Sequence, residues 1–219
     1  MIKINSEEIK DMGSNKQSKK YFYSGKIINY MIKENKVILE LKNNKIVLEF
    51  LEADIIRVVM NKKEELNLKS TYGIINHNLN YNNFKLIDKD EELIIKTSSI
   101  KIIVNKTFFS LSFYDKNGRL IHRDAKKALA WNENEVKAIK KTNKHEKFYG
   151  LGEKTGFLNK KGKKYTMWNT DVFEAHIENT DPLYISIPFY ICFSKKRSYG
   201  IYFDNSYKSH FDFRVDENG

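Results

Sequence analysis

A chain of 219 residues with 41% hydrophobic, 13% aromatic and 31% charged residues and only two prolines can bury a real core, which excludes intrinsic disorder. A formal net charge of +11 raises nucleic acid or an anionic membrane as partners. However, Lys and Glu are interleaved with Asn and Ile throughout, and no basic run is longer than the turn at 160–164. That distribution describes a solvated surface, so neither nucleic acid nor membrane is expected as a partner.

Residues 1–20 are polar, with Gly13 and Ser14 among them, and read as a loosely held lead-in. They lack the basic-then-apolar pattern of a signal segment, and no stretch approaches the ~18 apolar residues of a membrane span. A cytoplasmic location is expected, and the sequon Asn105-Lys106-Thr107 then carries no meaning. From 21 to 61 the runs Tyr21-Phe22-Tyr23, Ile27-Ile28, 36–41, 46–51 and 55–60 are rich in β-branched and aromatic residues. Glu34-Asn35 and Asn43-Asn44 punctuate them, which predicts a meander of strands. Residues 62–86 are weaker and Asn-rich, with 76–83 an irregular connection.

Strands resume at 92–97, 99–105 and 107–114, the last alternating Phe109, Leu111 and Phe113 against Ser110, Ser112 and Tyr114. Asp115-Lys116-Asn117-Gly118 predicts a hairpin turn, with Asn-Gly supplying positive φ values, and 119–124 leads away from it. Residues 124–136 contain Ala-Lys-Lys-Ala-Leu-Ala-Trp, which has room for a short helical turn, yet no sustained period of 3.6 occurs anywhere. Apolar runs at 183–193, 199–204 and 209–215 complete the chain, and Pro188 inside the first marks a sheet edge or a bulge. The lone Cys192 sits in an apolar run, so it forms no intrachain disulfide and is expected to be a buried, inert thiol. A dozen strands with little helix bury two faces only as stacked sheets or a barrel. The expected fold is all-β, a large antiparallel β-sandwich forming one domain over 21–219.

The stretch 148–173 stands out chemically. It holds Gly150, Gly152, Gly156 and Gly162, four of the ten glycines, and closes on Trp168-Asn169-Thr170-Asp171-Val172-Phe173. Two rings around an Asn, a Thr and a carboxylate can stack and hydrogen-bond a polar ring such as a sugar. The same residues are also ordinary core and turn material, and residue types alone favour that reading. Catalytic signatures are otherwise missing. His77, His122, His145, His176 and His210 form no metal-ligating spacing, so no metal is expected. Gly150-Leu151-Gly152 begins a dinucleotide fingerprint that the following residues do not continue, and no GxSxG, Walker A or CxxC occurs.

Four segments resemble a known family in order and spacing: FYGLGEKTG at 148–156, YTMWNTDVF at 165–173, DPLYISIPFYI at 181–191 and YGIYFDNSYKSHFDF at 199–213. They are similar to the N-terminal domain of glycoside hydrolase family 31, the α-glucosidases and α-xylosidases, with EFLEADIIRVVM at 49–60 adding a weaker upstream likeness. The resemblance implies a galactose mutarotase-like β-sandwich placed ahead of a (β/α)8 barrel. The two catalytic aspartates of that family lie on the barrel, so it implies that this chain is most of an N-terminal domain of a larger retaining enzyme and carries no catalytic residue. It implies no cofactor, an α-linked oligosaccharide or glycoside as substrate, and the missing barrel as partner. It gives Asp171 the role of accepting sugar hydroxyls, with Trp168 and Phe173 walling the pocket. Gly150, Gly152 and Glu153 shape the turn that presents the loop, and Asp204-Asn205-Ser206 is a structural turn. The alternative reading is a free-standing carbohydrate-binding or aldose epimerase-like sandwich without hydrolase activity.

Overall fold

The computed structural model describes residues 20–61, 73–76, 78–195 and 197–214. The lead-in over 1–19, most of the Asn-rich segment over 62–72, His77 and the end of the last apolar run at 215 lie outside the described residues. The described chain contains sixteen strands and no helix, and every pairing with a resolved register is antiparallel, as an all-β sandwich requires. The described residues pack as two compact units, one built from 20–61, 74–76 and 78–139 and one from Gly73, 140–195 and 197–214.

The first unit contains β1 (Phe22–Tyr23), β2 (Ile27–Lys33), β3 (Lys36–Leu41), β4 (Lys45–Phe50), β5 (Ile56–Asn61), β6 (Lys85–Asp88), β7 (Glu92–Lys96), β8 (Ile100–Asn105), β9 (Ser110–Asp115), β10 (Leu120–Trp131) and β11 (Val136–Lys141). Strands β2 to β5 form a four-stranded meander, and a second sheet runs β1-β10-β9-β8-β7-β6 with β11 also on β10. The period-2 alternation places Val37, Leu39, Leu41, Ile46, Leu48 and Phe50 of the meander in one buried cluster with Leu93, Ile95, Ile102, Val104 and Leu111 of the other sheet. Cross-strand pairs such as Leu39 with Ile46 and Ile95 with Ile102 are therefore the units of this core. Each fully buried side chain of this kind contributes roughly 1.5–3 kcal/mol.

Three expectations need correction here. The segment 124–136 forms no helical turn; it lies mostly in β10, where Ala128 and Ala130 face inward and Lys126 and Lys127 lie over the rings of Phe108 and Tyr23. Burial against partner strands overrides the helix propensity of Ala and Lys. In the 115–118 turn only Gly118 takes a positive φ, +78°. The N–H of Gly118 donates to Asp115 O at 3.0 Å, and the Asp115 carboxylate accepts from Asn117 N and Arg119 N, each at 2.9 Å. This is the three-residue hairpin with glycine in the left-handed position, not the two-residue turn that needs both Asn and Gly there. Finally, β6 and β11 are strands that the sequence reading did not pick out.

The second unit contains β12 (Lys147–Gly152), β13 (Lys164–Met167), β14 (Ser186–Ser194), β15 (Arg197–Tyr202) and β16 (Ser209–Asp212). They form a β12-β14-β15 sheet and a β13-β16 pair, and β12 and β13 were likewise unpicked. Phe148, Tyr190, Phe211 and Phe213 make an aromatic core, with Phe148 stacked on Phe213 at 4.7 Å and Tyr190 edge-on to Phe213 at 5.2 Å. Cys192 is buried there, and that burial pushes its thiol pKa up to about 11, so it is inert at neutral pH. Pro188 marks a bulge, not an edge: β14 is the central strand of its sheet, and its register against β12 jumps from Tyr190 opposite Gly150 to Ser186 opposite Gly152.

Candidate functional site

The second unit carries one long excursion, the eighteen-residue path between the end of β13 at Met167 and the start of β14 at Ser186. Its two legs are laced together by the polar residues that the sequence places there. Trp168 N donates to Ser186 Oγ at 3.0 Å, Ser186 N donates to Asn169 Oδ1 at 2.8 Å, and Thr170 N donates to Leu183 O at 3.1 Å. Further along, Tyr184 Oη donates to Val172 O at 2.6 Å. Leu183 is buried, so the return leg is tied to the core at the point that receives Thr170.

The base of the excursion is pinned by a buried charge pair. Lys154 follows the Gly150-Leu151-Gly152 corner; its side chain has 0% exposure, and its Nζ donates to Asp181 Oδ1 at 3.0 Å and Thr166 O at 2.7 Å. The other Asp181 oxygen accepts Thr166 N at 2.6 Å, so lysine, aspartate and strand β13 close on one another. Thr155 Oγ1 donates to the carbonyls of Glu178 and Thr180 at 2.8 and 2.9 Å, and Lys163 pairs with Glu178 at 2.7 Å. In the basic turn, Lys160 is buried beneath Phe157 O at 3.0 Å, and burial together with Lys154 and Lys163 lowers its pKa. The lysines of this region are clamps more than a solvated patch.

Within this frame the three residues singled out from the sequence all fall on the outgoing leg. Asp171 is exposed, and among the described residues its carboxylate makes no hydrogen bond or ion pair. Trp168 is 50% exposed at the base of the leg and Phe173 is 93% exposed two residues beyond Asp171. Phe173 is thus no part of the core. The leg presents an acceptor-only carboxylate with a ring on either side in sequence, which is the chemistry for taking donors from a polyhydroxylated ring. Gly150 and Gly152 behave as structural residues, because a Cβ at either would lie 2.6 Å from a carbonyl oxygen of the opposing segment. Glu153 donates its backbone N–H to Ile185 O at 2.9 Å, also in a structural capacity. Asn205 Oδ1 accepts Tyr207 N at 3.1 Å, so the residues after Asp204, Asn205-Ser206-Tyr207, form an Asx-type turn.

The sequence reading missed Lys154, Asp181 and Tyr184, and it named Asn169 without its role in lacing the two legs. The visible signal for Tyr184 was a phenol between Asp181-Pro182 and an apolar strand. Lys154 and Asp181 each looked like ordinary surface charge, since only the fold reveals that they meet.

Among the described residues no group of His, Cys, Asp or Glu side chains is arranged to hold a metal ion. Comparison with known proteins supplies the context for the loop. The family described as the glycosyl hydrolase 31 N-terminal galactose mutarotase-like domain matches residues 45–212. α-Glucosidase 2 of Bacillus thermoamyloliquefaciens is 35% identical over 167 residues, which are 76% of this chain and 21% of that protein. An α-glucosidase of Saccharolobus solfataricus is 37% identical over 84 residues, 38% of this chain and 12% of that one. A family 31 dextranase of Flavobacterium johnsoniae, solved with isomaltotriose, superposes with a TM-score of 0.80 at 34% identity over 88% of this chain and 24% of its own. The chain spans about a quarter or less of the length of these relatives. With the matched region running from β4 through the loop to β16, the chain belongs to the galactose mutarotase-like N-terminal domains of glycoside hydrolase family 31.

Proposed function

We propose that this chain is the substrate-loop domain of a retaining α-glycosidase that acts on α-linked glucose oligosaccharides. The observation that carries the reading is the Asp171 carboxylate, exposed and uncommitted on a loop whose two legs are otherwise laced by hydrogen bonds. Support for the substrate class comes from relatives at 34–35% identity, an α-glucosidase and a dextranase solved with isomaltotriose. In this reading Asp171 accepts two sugar hydroxyls through charge-assisted bonds, and Trp168 and Phe173 shield them from water. The nucleophile and the acid/base, two carboxyl groups about 5–5.5 Å apart in a retaining enzyme, reside in the polypeptide outside these 219 residues. Asp171 orients substrate and takes no part in bond cleavage.

The test is Asp171→Asn in the whole polypeptide, with initial rates on p-nitrophenyl α-D-glucoside and isomaltose. Loss of a charged hydrogen bond is expected to lower kcat/KM by about ten- to a hundredfold. An unchanged kcat/KM removes Asp171 from the substrate site. Faster turnover of p-nitrophenyl α-D-xyloside than of the glucoside replaces glucose by xylose as the sugar.

A further inference from the structure

Because the Asp171 carboxylate has no bonding partner among the described residues, its direction is set by the backbone on either side of it. On the N-terminal side the outgoing leg is tied to the return leg three times, through the backbone N–H groups of Trp168 and Thr170 and the Asn169 side-chain Oδ1. On the C-terminal side it is held once. Among the described residues, Val172 O is the only backbone group between Asp171 and His176 in a hydrogen bond, and its donor is Tyr184 Oη at 2.6 Å. The next fixed backbone is the turn in which Ile177 N donates to Thr180 Oγ1 at 2.9 Å and Thr180 N donates to Ile177 O at 3.0 Å. Phe173 at 93% exposure provides no packing to replace that bond.

The phenol is itself oriented. Its single proton goes to Val172 O, so the contact with His176 Nε2 at 3.1 Å requires the imidazole to be the donor. The imidazole ring lies tilted against the phenol ring with centroids 5.5 Å apart. His176, Tyr184 and Val172 O thus form a chain of donors that ends on the residue beside Asp171.

We propose that Tyr184 is a positioning residue for substrate recognition, its hydroxyl fixing the arc on which the Asp171 carboxylate is presented, with His176 holding the phenol in place. This rests on the reading of Asp171 as a sugar-binding group. Without the hydroxyl, residues 171–176 lose their hydrogen bonds to the return leg and keep only the contact of the His176 ring with the ring at 184. The carboxylate is then presented over a range of directions, and ordering it falls to the bound substrate.

Tyr184→Phe removes the hydroxyl and keeps the ring. In the whole polypeptide, with p-nitrophenyl α-D-glucoside as probe, it is expected to lower kcat/KM by about three- to thirtyfold, as for loss of one positioning hydrogen bond. The melting temperature should be unchanged, and His176→Ala should give a smaller loss in the same direction. The deciding measurement is the double-mutant cycle. In an Asp171→Asn background, Tyr184→Phe should cost little further, because the carboxylate it positions is gone. Equal losses in both backgrounds, or no loss in the wild-type background when Asp171→Asn is severe, overturn the role of Tyr184 and leave the reading of Asp171 standing. A silent Asp171→Asn overturns both.

Discussion

Lys154 shows how much a single side chain commits the loop to one geometry. Its ammonium is out of contact with water, so its charge is tolerable only because Asp181 Oδ1 and Thr166 O receive it. Asp181 in turn is held by Thr166 N. Breaking such a pair from one side leaves an uncompensated charge in a low-dielectric site, whereas removing both charges need cost little. Lys154→Met is accordingly expected to destabilise the protein by about 3–5 kcal/mol. Adding Asp181→Asn should recover a substantial part of that loss in a urea melt. Strict additivity of the two changes would show that the charges do not act on one another. Asp171 is the counterpart: an exposed carboxylate with no hydrogen bond or ion pair among the described residues, ten positions before one that is engaged through both oxygens.

At the scale of the element, the corner that ends β12 fixes where the loop returns, since Gly152 pairs with Ser186 at the start of β14. Gly150, Leu151 and Gly152 all take positive φ, at 123°, 75° and 78°, and Leu151 buries its side chain in the aromatic core while doing so. A bulky residue in that region is strained by about 1–2 kcal/mol, which the packing of its side chain offsets. Gly152 has no such freedom to change, because a Cβ there would lie 2.6 Å from Ile185 O and 2.9 Å from Ile187 N, both backbone atoms. Gly162 has a similar φ of 84° with nothing within 4 Å of its would-be Cβ. Gly162→Ala is therefore expected to cost about 1–2 kcal/mol from φ alone, and Gly152→Ala about 2–4 kcal/mol once the clash is added. Equal costs in denaturant melts of the two variants would mean that close backbone approach is not why Gly152 is a glycine. Elements whose cause is local were legible in the sequence. The Asp115 to Gly118 hairpin, the apolar run of β3 and the alternation of β9 each announce themselves within a few residues, while Pro188 signalled an irregular strand without deciding between an edge and a bulge. The long β10 was misread because its Ala and Lys favour a helix until partner strands bury the alanines. The loop's chemistry could be read from Trp168 to Phe173, but its lacing could not, since Tyr184 and Val172 meet only through a path that no short-range pattern encodes.

Over the whole molecule, 39 Lys and Arg against 28 Asp and Glu produce the basic balance, and the fold spends its rigid carboxylates on structure. Buried Asp124 accepts Leu111 N at 3.0 Å, buried Glu146 pairs with Arg197 at 2.8 Å, and buried Asp212 pairs with Arg214 at 2.6 Å. Glycoside cleavage with retention needs two carboxyl groups held about 5–5.5 Å apart, one protonated and one ionised. Among the described residues these three buried carboxylates are each engaged by a cation or an amide, whereas Asp171 sits exposed on a loop. The chain also spans only 21% of an α-glucosidase relative and 24% of a dextranase relative. If Asp171 only positions substrate, as proposed, the 219 residues by themselves are expected to hydrolyse no α-glucoside. The check is p-nitrophenol release from the α-D-glucoside by the purified chain and by its Asp171→Ala variant, each against a buffer blank. Turnover above the blank that disappears in the variant would make Asp171 a catalytic residue and this domain an enzyme in its own right. Turnover that survives in the variant points to a contaminating glycosidase, and a flat trace from both leaves bond cleavage to residues outside this domain.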